Sequence, residues 1–287
     1  MQAPLIRLIR ADNAAPLTGT GTNTWLLGQG TVVVIDPGPD LDSHLVAILS
    51  ATEGERITHI LLTHAHLDHS ALIPRLRSAT GAQVLAFGPA TAGRSPTMTT
   101  LAAQGLTSSE GADLTFTPDR TLADGQILAL NGMTIEALHL PGHMGCHMGF
   151  AAGDVLFSGD HVMDWSTTLV SPPDGDMTDY MTSLRRLSAR NWSQFLPGHG
   201  PEVTAPATRL AYLVEHRLSR AAAILDALRT LGPATAVTLA ARIYTDTPSY
   251  LLPAATRNVL AHLIDLAARN LVHPAPGPLS TSTFCLS

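Results

Sequence analysis

Thr63-His64-Ala65-His66-Leu67-Asp68-His69 packs three imidazoles and a carboxylate into the six residues from His64 to His69. It directly follows an apolar run, Ile57-Thr58-His59-Ile60-Leu61-Leu62, that reads as a strand. A lone histidine is most often a hydrogen-bonded core residue. Three of them beside a carboxylate, in a turn at a strand end, have no comparable structural use. Neutral imidazole and carboxylate are, however, preferred ligands of zinc and similar ions. The stretch therefore reads as a metal-binding cluster.

Further along the chain one arrangement recurs: an apolar strand, then Gly or Pro, then a potential ligand. Ile135 to Leu140 leads to Pro141-Gly142-His143, Val155-Leu156-Phe157 to Ser158-Gly159-Asp160, and Phe195-Leu196 to Pro197-Gly198-His199-Gly200. Strand ends on one side of a sandwich can converge on one cleft, and Gly and Pro allow the sharp turns needed there. Upstream, Trp25-Leu26-Leu27, a Gly-Gln-Gly turn and Thr31-Val32-Val33-Val34-Ile35 read as a hairpin. Further strands are expected over 57–63, 83–87, 134–140, 155–158 and 194–196, with helices over 41–51 and 70–78. The segment from Gly88 to Asp119, rich in Gly, Thr, Ser and Pro, reads as a long loop with a little helix.

After Pro206 the pattern changes. Leu210, Leu213, Val214, Leu218, Ile224 and Leu228 recur at helical spacing, and two more helical patterns cover 236–244 and 253–270. The expected architecture is a mixed α/β body over residues 1–205 and an all-helical tail over 206–287. The short connection from the His199 turn into this tail predicts that the tail packs on the body and walls one side of the cleft.

Bulk properties exclude several function classes. The 287 residues are 45% hydrophobic and 14% charged, which describes an ordinary globular enzyme. The chain contains no Lys, which removes a Walker-type phosphate loop and a Schiff-base lysine. A net charge of −6 gives no global attraction to nucleic acid. Cys146 and Cys285, the only cysteines, make no disulfide framework. With no long apolar N-terminal stretch and no membrane-spanning run, the expected address is the cytoplasm.

His64-Ala65-His66-Leu67-Asp68-His69 resembles the HxHxDH signature of the metallo-β-lactamase superfamily, and His143, Asp160 and His199 follow in that family's order. The resemblance implies an αββα sandwich with the metals at the edge between the sheets. By position, His64, His66 and His143 would hold a first metal and Asp68, His69 and His199 a second, with Asp160 bridging them. Ile35-Asp36-Pro37-Gly38-Pro39, Phe157-Ser158-Gly159-Asp160-His161-Val162-Met163 and Leu196-Pro197-Gly198-His199-Gly200-Pro201 are similar to the subgroup related to β-lactamase-like protein 2 and, at greater distance, glyoxalase II. That subgroup implies a C-terminal helical, winged-helix-like domain. One departure is Met144, which stands where a threonine commonly follows the motif histidine.

The implied chemistry is dinuclear metal-dependent hydrolysis. Two divalent cations, zinc in first place with iron and manganese as alternatives, share a hydroxide whose parent water is acidified toward a pKa of about 7. Asp68 could orient that nucleophile and receive its proton. Asp36, His139, His147 and His161 are candidates to hold the outer nitrogens of ligating imidazoles. Trp165 and Tyr180 flank the Ser171–Asp176 loop and are candidate pocket residues. Cys146 lacks the cationic neighbours of a reactive thiolate and reads as filler. The expected substrate is a small ester, thioester or lactone. The alternatives are an endoribonuclease of the same superfamily, using Arg185, Arg186, Arg190, Arg217 and Arg220 on RNA, and a non-catalytic metal- or DNA-binding regulator.

Overall fold

A computed structural model describes residues 5–107 and 111–287. Residues 1–4 of the N-terminal stretch and 108–110 of the expected 88–119 loop lie outside the described residues. The first sheet contains β1 (Ile6–Arg10), β2 (Asn23–Leu27), β3 (Thr31–Ile35), β4 (Arg56–Leu61), β5 (Gln83–Ala86) and β6 (Arg120–Thr121), adjacent in that order. β1 to β3 run antiparallel as successive neighbours, whereas β3 to β6 pair in parallel. Parallel pairs need crossovers, and here α1 (Asp42–Ala51), α2 (Leu67–Ser70) with α3 (Ile73–Thr80), and α4 (Pro96–Ala103) lie in those connections. The second sheet runs in the order β11-β10-β9-β8-β7, from β7 (Gln126–Leu130), β8 (Met133–His139), β9 (Met148–Ala152), β10 (Val155–Gly159) and β11 (Gln194–Pro197). Helix α5 (Met177–Ser188) crosses from β10 to the parallel β11.

The β-branched run of β3 shows why the chain layers as it does. Successive side chains point to opposite faces. Val32 and Val34 join Ile48 of α1 and Ile73 and Leu76 of α3 in one cluster. Val33 and Ile35 face the other way, meeting Ile135, Phe150, Phe157 and Leu196 of the second sheet. Burial on both faces requires an unbroken apolar strand rather than an alternating one. Each such side chain contributes about 1.5–3 kcal/mol. The outer face of the second sheet is covered by Tyr180, Leu184 and Leu187 of α5. The result is the expected αββα sandwich.

The tail begins with α6 (Pro206–Leu231) and continues through β12 (Ala234–Thr235), α7 (Ala236–Ile243), a single 3-10 turn at Ser249–Leu251, α8 (Leu252–Ala268), β13 (Val272–Pro274) and β14 (Thr283–Leu286). It is not all-helical as expected. β12, β14 and β13 form a three-stranded antiparallel sheet closing over the helices, with Phe284 fully buried. Strands this short, paired between residues 234 and 284, leave no local periodicity to read.

The tail packs on the body, as the short connection predicts. Leu210 and Leu213 of α6 and Ala261 of α8 join the core beneath the second sheet. Helix α4 belongs to the tail's own core through Met98 and Leu101. The 88–119 segment is thus divided: α4 braces the tail, while Ala90 and Phe116 join the core of the body. Among the described residues, no helix is long and apolar enough to cross a membrane.

Candidate metal centre

All seven expected ligands meet at one edge of the sandwich, delivered by the ends of strands. His64 and His66 follow β4, and Asp68 and His69 lie in the short α2. His143 sits in the β8–β9 turn, Asp160 directly follows β10, and His199 follows β11. Glycine before a ligand has a steric cause here. A Cβ at Gly198 would lie 2.4 Å from Asp160 Oδ1 and 2.6 Å from His69 Cε1.

The donors form two groups joined by a shared carboxylate. His66 Nδ1 lies 3.0 Å from His64 Nε2 and 3.1 Å from His143 Nε2. On the other side, His199 Nε2 lies 3.2 Å from His69 Nε2 and 3.1 Å from Asp68 Oδ2. Asp160 stands between the groups: Oδ2 lies 3.9 Å from His64 Nε2, 3.7 Å from His143 Nε2 and 3.4 Å from His199 Nε2. Its Oδ1 lies 3.5 Å from His69 Nε2 but, although fully buried, makes no hydrogen bond. Buried polar atoms are ordinarily satisfied. Imidazole nitrogens facing one another around an orphaned carboxylate oxygen fit a site for cations. Each of three overlapping sets, His64–His66–His143, His64–His69–Asp160 and Asp68–His69–His199, brings its donor atoms within 4.8 Å of one another.

The outward-facing nitrogens fix the rings. His143 Nδ1 donates to Leu169 O at 2.6 Å and His199 Nδ1 to Gly21 O at 3.3 Å. His69 Nδ1 lies 3.0 Å from Asp36 Oδ2, and His64 Nδ1 lies 3.0 Å from Thr63 Oγ1. Such anchors leave the opposite nitrogen free to bind a cation. Asp36 also accepts from Thr63 N at 2.8 Å and Thr63 Oγ1 at 2.7 Å. Its φ of 52° is a left-handed conformation that Asp tolerates better than most residues.

Of the four candidates for this anchoring role, Asp36 alone takes it. His139 stacks on Phe87, 3.9 Å between ring centroids, and donates to Gly145 O at 2.7 Å. His147 stacks behind His64 at 5.1 Å and His161 packs on Tyr180 at 4.8 Å, with neither ring hydrogen-bonded. Burial holds the His161 imidazole down to about 3 and His147 well below its ordinary range, so both are neutral packing groups. The backbone anchors Leu169 O and Gly21 O have no counterpart among the expected residues, because a carbonyl oxygen has no side-chain signature in a sequence.

Charge in the cluster is uneven. Burial, reinforced by neighbouring imidazoles, pushes His64 well down and His66 to about 3. At His199 burial also lowers the pKa, but the carboxylates of Asp160 and Asp68 outweigh it and raise the value to about 9. His69 is likewise raised, against its own burial, by Asp68 and Asp160. Burial opposes ionisation of Asp68 and Asp160, yet His69 and His199 hold both carboxyls well below the usual range.

A cavity of about 230 Å³ opens above the donors, bordered by Leu17, Thr18, Met163, Trp165, Thr167 and Leu169. Trp165 borders it as expected, packed so closely on Gly200 that a Cβ there would lie 2.1 Å from the indole. Tyr180 does not. It lies in α5, fully buried, with its hydroxyl donating to His161 O at 3.2 Å. Its spacing with Leu184 and Leu187, and the N-cap Asp176 that accepts from Thr178 N, are signals that place it on a helix. Met144 is fully buried in the core and does not reach the cavity. Cys146 is buried too, and burial pushes its thiol up to about 11.

Comparison with known proteins agrees with this geometry. Residues 17–199 match the model of the metallo-β-lactamase superfamily, and residues 235–276 that of the β-lactamase-associated winged helix domain. A β-lactamase-like protein 2 homolog from Drosophila melanogaster is 30% identical over 93% of this chain and 88% of its own length. An atrochrysone carboxyl ACP thioesterase from Aspergillus fumigatus is 28% identical over 80% of this chain and 66% of its own. A metallo-β-lactamase family protein from Thermus thermophilus superposes with a TM-score of 0.79 at 22% identity, covering 98% of both chains. The sandwich, its donor-lined edge and the appended three-stranded helical tail place this chain in the metallo-β-lactamase superfamily.

Proposed function

We propose that this chain is a hydrolase of small esters, thioesters or lactones that works with two divalent cations. The observation that carries the reading is the position of Asp160, whose carboxylate lies within 3.9 Å of both donor groups. His64, His66 and His143 would hold one cation and Asp68, His69 and His199 the other. Nitrogen-rich donors with two carboxylates suit zinc, and iron and manganese accept the same set. Bound there, such cations supply Lewis-acid polarisation of a carbonyl and bring the acidity of water toward neutrality.

The chain's own groups do the rest. Leu169 O and Gly21 O hold His143 and His199 so that their Nε2 atoms face the cluster. Asp68 is the more exposed of the two carboxylates, 30% against 11% for Asp160, so it is the one placed to orient water and take up its proton. The neighbouring walls of Leu17, Met163 and Trp165 admit a small, partly apolar substrate. A relative named as a thioesterase favours acyl transfer to water.

Nucleic acid is the weaker reading, because four of the five arginines offered for it are engaged or buried. Arg186 pairs with Asp124 at 2.8 Å and Arg190 with Glu136 at 2.6 Å. Arg217 is buried, and Arg220 lies over Tyr244 at 4.7 Å. Phosphate contacts make affinity fall steeply with salt. The test is metal analysis together with ester, thioester and RNA turnover between about 50 and 200 mM salt. We expect about two cations per chain and ester or thioester turnover that is insensitive to salt. Asp160→Ala should lower metal content and reduce turnover about a thousandfold or more. Unchanged metal content with full activity in that variant, or RNA cleavage without ester turnover, overturns the reading.

A further inference from the structure

We propose that a second cavity, beside the metal centre, is an acyl subsite that receives the apolar chain on the carbonyl side of the substrate. The proposal rests on the hydrolase reading above. This cavity measures about 600 Å³, against about 230 Å³ over the donors. Pro16, Leu17 and Leu169 border both, so the two lie side by side along a shared apolar wall. Leu169 is also the residue whose carbonyl anchors His143. Leu169 therefore stands between the all-imidazole group of donors and the larger cavity.

The far wall comes from the tail: Tyr250 and Leu251 of the 3-10 turn, and Pro253 and Ala254 at the start of α8. Arg257 contributes the one charge among the described lining residues, and its guanidinium is engaged. Its Nε donates to Ser171 Oγ at 2.9 Å, and a terminal nitrogen donates to Thr107 O at 2.9 Å and to Pro172 O. The cavity thus offers no free cation to a phosphate or carboxylate. It offers exposed hydrocarbon instead: Leu17 is 52% and Tyr250 64% exposed. Apolar side chains left open around a concavity that joins a reactive centre suit a hydrophobic substituent. A chain entering past Leu169 keeps its carbonyl over the donors and covers both side chains. The tail, on this reading, selects substrates by the length of their acyl group.

The experiment measures kcat/KM of the metal-loaded enzyme for thioesters of one thiol with straight acyl chains from acetyl to decanoyl. A matched series keeps the acetyl group and lengthens the thiol. We expect kcat/KM to rise about fourfold per methylene in the acyl series until the cavity is full, and to stay nearly flat in the thiol series. Ala254→Trp fills the cavity from α8, and should cut the decanoyl-to-acetyl ratio by about tenfold or more. Calorimetry with decanol on the metal-loaded chain gives a readout independent of turnover. Binding is expected for the parent and not for Ala254→Trp, with far-ultraviolet circular dichroism checking that the variant is folded. Leu17→Asp, on the opposite wall, should lose decanol in the same way.

An acyl series that is flat while acetyl thioester is turned over overturns the subsite and leaves the hydrolase reading standing. So does a steep thiol series. If no thioester is turned over, the hydrolase reading fails, and decanol binding then decides the cavity's role alone. Absence of that binding, or binding that survives both substitutions, overturns it.

Discussion

The ligand-bearing edge and the seam between body and tail are both crowded with buried polar groups, but they treat them in opposite ways. At the edge, Asp160 Oδ1 and several imidazole nitrogens face one another without hydrogen-bond partners of the ordinary kind. At the seam, polar side chains reach backbone, with single nitrogens such as Arg217 Nε and His262 Nε2 left over. Arg217, fully buried under Tyr180, donates to Thr168 O and, at 3.4 Å, to Asn258 Oδ1. Asn258 Oδ1 in turn accepts from Val170 N at 3.0 Å. Bonds to backbone hold two pieces together, whereas donor atoms turned on one another around a bare carboxylate oxygen wait for something to complete them. The contrast separates what builds the molecule from what it is built to bind.

Arg217→Met strikes the seam first. It leaves Thr168 O short of its donor inside the protein, and we expect a loss of roughly 2–3 kcal/mol of unfolding free energy with metal content at saturation unchanged. Denaturant unfolding and metal analysis on the same preparation check both halves. A stability at or above that of the parent would show that apolar packing, not the network, closes the seam.

Asp36→Asn strikes the edge alone. The amide keeps the shape but weakens the anchor of His69 Nδ1, and it disturbs the bonds from Thr63. Loss of such an outer partner typically costs about 10–100-fold in metal affinity. Competition against a coloured chelator measures it. Equal affinity in parent and variant would mean that His69 is oriented by packing.

A smaller effect tests the seam by pH. Burial first, and then the charge of Arg217, lowers His262 to about 3. An unfolded chain takes up that proton below about 6.5, while the folded chain refuses it until near 3. Stability must therefore fall as pH falls, by about 2 kcal/mol between pH 7 and pH 5 for this one group. His262→Gln should be less steeply acid-sensitive than the parent over that window, as followed by denaturant midpoints. Parallel pH profiles would place the acid sensitivity elsewhere.

The same contrast explains what can be read from the sequence. Metal binding demands particular residue types, so His64 to His69 and the later Gly-ligand turns announce themselves locally. The hairpin of β2 and β3 is legible for the same reason, through a tight Gly turn between β-branched runs. The seam is not. Arg217, Asn258 and Arg257 act on backbone atoms 49 to 150 residues away, and no spacing rule connects them. β1 escapes notice as a half-exposed edge strand, and β12 to β14 because each is short and pairs at long range. Tyr180 reads as a loop neighbour because the Pro- and Gly-rich stretch before it masks the start of α5.

The residues from Thr168 to Val170 belong to both regions at once. Thr168 Oγ1 donates to the backbone oxygens of Asp160, at 2.7 Å, and His161, at 2.9 Å. Thr168 O and Val170 N are held by the tail, and Leu169 O holds His143. Three consecutive residues thus link two equilibria, cation binding at the edge and docking of the tail. Linked binding free energies are reciprocal. Whatever free energy a docked tail lends to cation affinity, the bound cations return in full as resistance of the tail to undocking. Loss of metal would then loosen a wall of the larger cavity as well as silence the chemistry beside it.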